Sequence, residues 1–595
     1  MLAALGAVAA VVLVYARGQR TPTMTVSAAL RALAVLFALA LALDAPRGRA
    51  GERRPVIAID ASASWRRGRA DSVWQRALAT ASAYGDTVWL AGDSLRPAHG
   101  EKIPEDNASR IEPAVDRAVG AGRPLVLFTD GEVDDPAVVS RLLAGSRVEV
   151  PAGGRVRDAA VIALDAPRSV VGGDTTDVIV RVGAGDAGAG SGSVAMTLDG
   201  ALLVRMPVDS LAPGAERDVH ARVRIPAEGA EHRVARAVLA IAGDGVPQND
   251  SLGAALDVAA APRAVFVSTS PDQDSRFALE VLRGTLAIAV RAFYRVAPGL
   301  WRQEPGFTPA SETDVRKALA DAPIAILHGD TALFGAPRSI TSGALALLAP
   351  SAAGEQEEWY AANAPASPLS TVLGSIPFDS LGPISLGTSP RGDWIALTAL
   401  RPRLAREDRA VIAGTERPRR VVVVAASGMW RWRFRGGASA DAYAALWGGV
   451  FDWLAAGGDD RRAAIPAAAW SRAGEPIAWR RGARRDSVVQ LVLRRIGATR
   501  ADTVMLSFPG SANVAESPPM AAGVYDVAVV GGGARLVVAP SREWLPRRAT
   551  LAGGAVGTMS IGTRAPRLRD AWWAYVVVVA ALCAEWTLRR RVGLR

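Results

Sequence analysis

Residues 56–64 read Val-Ile-Ala-Ile-Asp-Ala-Ser-Ala-Ser, and no other stretch restricts the fold as sharply. Four apolar residues followed by an acid and two hydroxyls at alternate positions predict a buried strand ending in an oxygen-rich loop. In open α/β sheets, ligands bind at such loops, outside the carboxyl ends of the strands. One carboxylate with hydroxyls suits a hard cation such as Mg²⁺, which takes oxygen ligands and keeps some of its water. The same residue types also form turns and helix caps, so the loop alone leaves both readings open. Residues 124–128, Pro-Leu-Val-Leu-Phe, predict a second buried strand that runs into Thr129, Asp130 and Gly131. Between the two, Ser109 opens a predicted helix over 110–119. Asp134 and Asp135 either tighten a cation site or cap the helix beginning at Pro136.

Around these landmarks, residues 53–157 alternate strand and helix: helix 71–83, strand 87–90, helix 110–119, strand 124–128, helix 136–143, strand 147–150. That alternation predicts a parallel sheet covered by helices. Together with Asp60-x-Ser62-x-Ser64 and Thr129-Asp130-Gly131, it resembles a von Willebrand factor A domain. The resemblance implies a Rossmann-like fold and a metal-ion-dependent adhesion site for Mg²⁺ or Mn²⁺. Its ligands would be Asp60, Ser62, Ser64, Ser109 and Asp130, with Ser109 in place of the family's usual Thr. The segment is short for that family, its last helix and strand being missing or replaced.

Composition sets the wider frame. A chain of 595 residues with half its residues hydrophobic predicts roughly four domains of about 150 residues, plus membrane segments. The net charge of +11 is carried almost wholly by Arg, Lys102 and Lys317 being the only lysines. No basic tract interleaved with aromatics occurs, so nucleic acid is not an expected partner. The single cysteine, Cys583, lies in an apolar run, which rules out disulfides within the chain, Cys-ligated zinc and a thiol nucleophile in the soluble part. The four histidines, His99, His220, His232 and His328, show no metal-binding spacing.

Three apolar runs predict transmembrane helices at 1–16, 26–44 and 571–588. A cleaved signal peptide is the alternative for the first, although no basic stretch precedes it. Arg589, Arg590 and Arg591 close the third and place that end in the cytoplasm by the positive-inside rule. The large middle region is then extracytoplasmic.

Residues 158–260 change character. Val219, Ala221, Val223 and Ile225 alternate with Asp218, His220, Arg222 and Arg224, as on a half-buried strand with His220 facing water. Residues 198–201, Leu-Asp-Gly-Ala, predict a tight hairpin. Short strands with regular turn signals suggest an Ig-like β-sandwich. Residues 262–457 return to α/β, with strands at 264–267, 322–327 and 420–426, and a helix over 439–456. The Trp/Arg alternation at 430–435 reads as a half-buried strand-like segment, or else as a cation–π surface for an anionic partner. Residues 461–565 read as a second β-sandwich.

The Trp-Arg-x-Arg block before an aromatic helix makes residues 262–457 resemble the class I glutamine-amidotransferase-like domain of bacterial membrane proteins that also carry a von Willebrand A domain. Amidotransferase chemistry needs a Cys nucleophile, and residues 1–582 contain none. The domain order as a whole resembles bacterial membrane proteins of the aerotolerance (Bat) type. That implies a multi-pass protein of the cytoplasmic (inner) membrane, associated with a MoxR-type AAA+ ATPase and other von Willebrand A membrane proteins. The leading expectation is a non-enzymatic scaffold that captures a partner protein's carboxylate through the metal, with no catalytic residues. Two alternatives stand beside it: a hydrolase or transferase using a Ser with His328, and a structural envelope protein with a vestigial metal site.

Overall fold

A computed structural model describes residues 22–43, 45, 54–151, 157–229, 231–304, 306–350, 358–401, 408–456, 460–482, 484, 486–510, 512–557 and 567–591. The apolar run at 1–16 lies outside them.

Val56–Asp60 (β1) is the centre of the first sheet. It pairs in parallel with Val88–Ala91 (β2) on one side and Leu125–Phe128 (β4) on the other. Arg96–Pro97 (β3) is antiparallel to β2, and Ser146–Glu149 (β5) is parallel to β4, giving the order β3-β2-β1-β4-β5. All five residues of β1 are buried, because both faces of the sheet are covered. Ile57 and Ile59 pack with Trp65 and with Trp74, Ala77 and Ala81 of helix Ser72–Ser82. Val56 and Ala58 pack with Ala114, Val115 and Ala118 of helix Glu112–Gly120. An uninterrupted apolar strand is the expected signature of such two-sided burial. Residues Pro136–Arg141 form a 3₁₀ turn in place of the expected α-helix.

The sixth strand of this sheet comes from the far end of the chain. Gly554–Val556 lies antiparallel against β5, so the C-terminal part of the expected second sandwich belongs to the first domain.

Residues 159–259 form two facing sheets, of five strands and three strands. Val178, Val180 and Val182 of one sheet share a core with Val194, Met196, Ala237 and Leu239 of the other. Strand Glu216–Arg224 buries Ala221 and Val223 and exposes His220. Asp199 (φ 47°) and Gly200 (φ 89°) make the hairpin turn, a pair of left-handed residues that matches the twist of the flanking strands. Residues 464–539 form another such pair of sheets, around Trp479, Leu491, Phe508 and Leu536.

Between them lies a ten-stranded mixed sheet. Its parallel centre runs Val290–Ala297, Ala264–Ser268, Ile324–His328, Ala344–Leu348, Val421–Val424. Helices Gln273–Leu286 and Gly437–Ala455 cover one face through Phe277, Leu282, Leu446 and Val450. The Trp/Arg block at 430–435 is not extended: Trp430–Arg435 is a short helix, closed by Gly436 at φ 72°. Trp430 and Phe434, four residues apart, meet edge to face at 5.5 Å, as helical rather than strand spacing allows.

Among the described residues one helix, Pro22–Ala42, is long and apolar enough to cross a membrane. Helix Trp572–Arg591 packs along it, with Phe37 against Trp573 and Arg31 3.4 Å from Glu585.

Candidate functional site

The order of the first sheet reverses at β1, and the crevice at the carboxyl ends of β1 and β4 is where such sheets place ligands. Asp60 ends β1 there. Its Oδ1 accepts a hydrogen bond from the Ser62 amide (2.9 Å). Its Oδ2 accepts from Ser109 Oγ (2.6 Å) and Thr129 Oγ1 (3.0 Å). Ser62 Oγ and Ser64 Oγ are 2.8 Å apart, at the entry to the turn Ala63–Arg66.

Each contributing loop is held in place. The Asp106 amide donates to Ala61 O and the Ala63 amide to Asp106 O, while Arg96 grips the Asp106 carboxylate at 2.7 and 2.8 Å. A Cβ on Gly92 would come within 2.2 Å of Asp106 Oδ2, so this close approach requires glycine. Asp134 accepts from the Ser109 amide (3.0 Å), and Asp135 accepts from the amides of Ile111 (3.0 Å) and Glu112 (2.7 Å). The two acids thus cap the helix preceding them in the chain, and Asp135 makes no side-chain cap to the turn at Pro136.

Asp130 follows β4, its Oδ1 accepting from the Glu132 amide at 3.1 Å. Its Oδ2 faces the Arg69 guanidinium at 3.1 Å. Arg67 pairs with Glu132 and lies 3.4 Å from Asp158. Arg547 lies 2.7 Å from Asp134 and 2.5 Å from Glu543. Asp60, Ser62, Ser109 and Thr129 are fully buried, and Ser64 and Asp130 nearly so.

The structure therefore brings Asp60, Ser62, Ser64, Ser109 and Asp130 to one rim. Thr129 joins them, unanticipated although adjacent in sequence to Asp130. Arg67, Arg69, Glu132, Glu543 and Arg547 were also not anticipated, and the last two lie more than 400 residues from Asp60 with no local sequence signal.

Six carboxylates of this region (Asp60, Asp130, Glu132, Asp134, Asp158, Glu543) face three guanidiniums (Arg67, Arg69, Arg547). The negative surplus shows in the proton affinities. Burial, and then the charge of Asp130, push Asp60 up to about 7. Burial pushes Asp158 to about 6 and Glu543 to about 8. Among the described residues, no three His, Cys, Asp or Glu side chains form a metal-ligand group. The set at the rim is two carboxylates and four hydroxyls, Thr129 included. All its donors are hard oxygens and its charge is under-neutralised, so the chemistry fits a small divalent cation. The Arg69 guanidinium, 3.1 Å from Asp130, would compete with such a cation.

A second rim lies in the ten-stranded sheet, at the carboxyl ends of Ala264–Ser268 and Ile324–His328. Ser268 Oγ is 2.9 Å from His328 Nδ1, and Asp272 Oδ2 is 3.4 Å from His328 Nε2. Ser268 and His328 are 0% and 1% exposed. Asp272 caps helix Gln273–Leu286 through the Ser275 amide at 2.8 Å.

No family model and no curated protein matches the chain. Among solved structures, a CARDB domain from Pyrococcus furiosus aligns at 20% identity over 18% of this chain and 97% of its own, with a TM-score of 0.16. A domain of a putative cell surface protein from Methanosarcina acetivorans aligns at 19% identity over 18% and 93%, TM-score 0.16. A β-glucosidase from Listeria innocua aligns at 11% identity over 36% and 46%, TM-score 0.14.

Proposed function

We propose that this protein is a non-enzymatic, membrane-anchored scaffold whose first domain is a von Willebrand factor A-like adhesion module. Asp60, Ser62, Ser64, Ser109 and Asp130 would hold Mg²⁺ or Mn²⁺. When bound, the ion supplies an electrophilic centre that accepts a carboxylate oxygen from a partner protein. The chain's own residues do the rest. Ser109 and Thr129 fix the Asp60 carboxylate by hydrogen bonds of 2.6 and 3.0 Å, and Arg96 fixes the loop that carries Ser109 through Asp106. The observation that carries the reading is this convergence of three hydroxyl- and carboxylate-bearing loops around Asp60 in a buried region with surplus negative charge. Buried charge of one sign is costly unless it is paired or bound to metal.

The sequence resemblance supports a place in the inner membrane, and the positive-inside rule supports an orientation with the domains outside and the Arg589–Arg591 end inside. It also supports association with a MoxR-type AAA+ ATPase and other von Willebrand A membrane proteins. One observation favours the structural alternative: the Arg69 guanidinium on Asp130 supplies positive charge where an ion would. The hydrolase alternative lacks an accessible nucleophile, since Ser268 and His328 are sealed and Asp272 serves as a helix cap.

The test is Mn²⁺ binding to the full chain in detergent, read by electron paramagnetic resonance. The wild type is expected to bind one equivalent, and Asp60→Ala with Asp130→Ala to bind none while keeping its circular dichroism spectrum. Equal binding by both proteins, or by neither, removes the adhesion reading.

A further inference from the structure

Strand Glu216–Arg224 is an outer member of the three-stranded sheet in the sandwich of residues 159–259. It pairs with Thr175–Ala184 in a register that never shifts, and among the described residues it pairs with no strand on its other side. The other edges of this sandwich are blunted. Ala201–Val208 shifts register and contains Pro207, Ala159–Asp165 shifts register, and Ser169–Val171 is only three residues long. Bulges, proline and short length are the devices that keep an edge from pairing with another chain. Strand Glu216–Arg224 has none of them.

Its open backbone has a definite phase. The Ala184 amide donates to Ala215 O at one end, and the Ile225 amide donates to Asp174 O at the other, both at 3.0 Å. Odd-numbered residues therefore bond to Thr175–Ala184. By the alternation of antiparallel pairs, the amides and carbonyls of 216, 218, 220, 222 and 224 point away from the sheet. The side chains of those same residues are exposed and read Glu, Asp, His, Arg, Arg.

That order is complementary to its own reverse. A second copy laid antiparallel, with His220 opposite its counterpart, sets Glu216 against Arg224 and Asp218 against Arg222, each pair occurring twice. Sliding the copy to either neighbouring register that still pairs the outward groups leaves half of these opposite-charge pairs. The rows also continue into each sheet. Arg181 donates to Asp218 at 2.7 Å and Arg222 to Asp177 at 3.0 Å. Across the joined sheets one row then runs Arg181, Asp218, Arg222, Asp177, alternating in sign. Main-chain bonds give such an edge contact its affinity, and the side chains fix its register.

We propose that strand Glu216–Arg224 is a homodimer interface, in which two copies of this chain join edge to edge and in antiparallel about His220. The contact is isologous, the same strand serving on both sides, so it closes at two copies. It is independent of the metal reading, and it would set two adhesion domains in one assembly.

The experiment is sedimentation velocity of the full chain in detergent, over a concentration range that spans dissociation. Glu216 and Arg224 make no ion pair among the described residues, and roughly 27 Å of strand separates them, so neither can compensate the other within one chain. Glu216→Arg or Arg224→Glu alone turns two opposite-charge pairs into like-charge pairs and is expected to weaken the dimer about tenfold. The two together restore both pairs with signs exchanged and are expected to return the dissociation constant to within about threefold of wild type. His220→Pro removes an outward N–H, a change that edge strands tolerate. It is expected to give a monomer with the wild-type circular dichroism spectrum. A wild type that stays monomeric, or a dimer equally tight in every variant, overturns the inference. So does a double variant no tighter than the single ones, which would assign their loss to damage within the chain. Mn²⁺ binding is expected to be the same in all of these proteins, so failure of the dimer leaves the adhesion reading standing.

Discussion

Replacing Arg69 by Met should weaken the metal-free protein and strengthen its hold on a divalent cation. Arg69 Nη1 lies 3.1 Å from Asp130 Oδ2, with side chains 22% and 1% exposed. Among the described residues, the other hydrogen bond to the Asp130 carboxylate comes from the Glu132 amide at 3.1 Å. Met keeps most of the apolar stem and removes every donor. Breaking a buried ion pair by deleting one partner costs about 3–5 kcal/mol. Because Arg69 is partly solvated, about 2–3 kcal/mol is the reasonable share here. For the cation the sign reverses. A hydrogen bond to a charged group contributes about 1.5–3 kcal/mol, and a cation that displaces the guanidinium from Asp130 must forgo it. Removing that competition should raise Mn²⁺ affinity by roughly 10- to 150-fold, at 1.4 kcal/mol per decade. Titration by paramagnetic resonance measures the affinity. Thermal unfolding followed by tryptophan fluorescence measures the stability, Trp65 and Trp74 reporting from the first domain's core. A lowered melting temperature with no gain in Mn²⁺ affinity would refute the competition, and would identify Arg69 as the permanent counter-charge of a site that takes no ion.

The remaining predictions concern groups outside this pair. Burial, and then hydrogen bonding to and repulsion by Asp244, push Asp250 up to about 8. The folded state therefore holds a proton that the unfolded chain releases near pH 4, so Asp250's contribution is lost as pH rises toward 8. Asp250→Asn should raise the melting temperature at pH 8.5 more than at pH 4.5, and an equal shift at both would contradict the assignment. In the ten-stranded sheet, Ser268→Ala strips the buried His328 Nδ1 of its partner at 2.9 Å and should cost about 1–3 kcal/mol. A fluorophosphonate probe should leave wild-type Ser268 unlabelled, and stoichiometric labelling would bring back the hydrolase reading.

How far the sequence reached depended on whether a feature was local. The loop at 60–64 was legible because β1 is buried on both faces, which forces an apolar run and makes the first polar residue after it conspicuous. Thr129 was missed because a hydroxyl beside an acid at a strand end reads as turn composition, and only the register of β4 against β1 turns it toward Asp60. At 430–435, six residues were too few to separate period 2 from period 3.6. The contact of Trp430 with Phe434 and the stop at Gly436 decide for helix. Asp134 and Asp135 were expected to serve their own turn or a cation. The 3₁₀ turn after them leaves their oxygens to the amides of residues 109, 111 and 112. The place of Gly554–Val556 in the first sheet was invisible because nothing in those residues states that their partner strand lies at 146–149.

That long-range closure decides which charge can leave the cluster. A divalent ion entering between Asp60 and Asp130 adds two positive charges to a region that already holds Arg67, Arg69 and Arg547. Arg67 is 10% exposed and donates to the carbonyls of Glu543 and Leu545, so it is committed to holding that segment down. Arg547 lies in the same segment and pairs with Glu543 and with Asp134 at the rim. Arg69 is 22% exposed, and its one hydrogen-bond contact in the cluster is with Asp130. It is therefore the guanidinium that can swing toward water without dismantling the fold. Exchange of Arg69 for a cation would favour ionised Asp60, since a positive charge beside both carboxylates opposes the burial and the Asp130 repulsion that raise its proton affinity. The hydroxyls of Ser62, Ser64 and Ser109 would then have lone pairs to give rather than only protons to share.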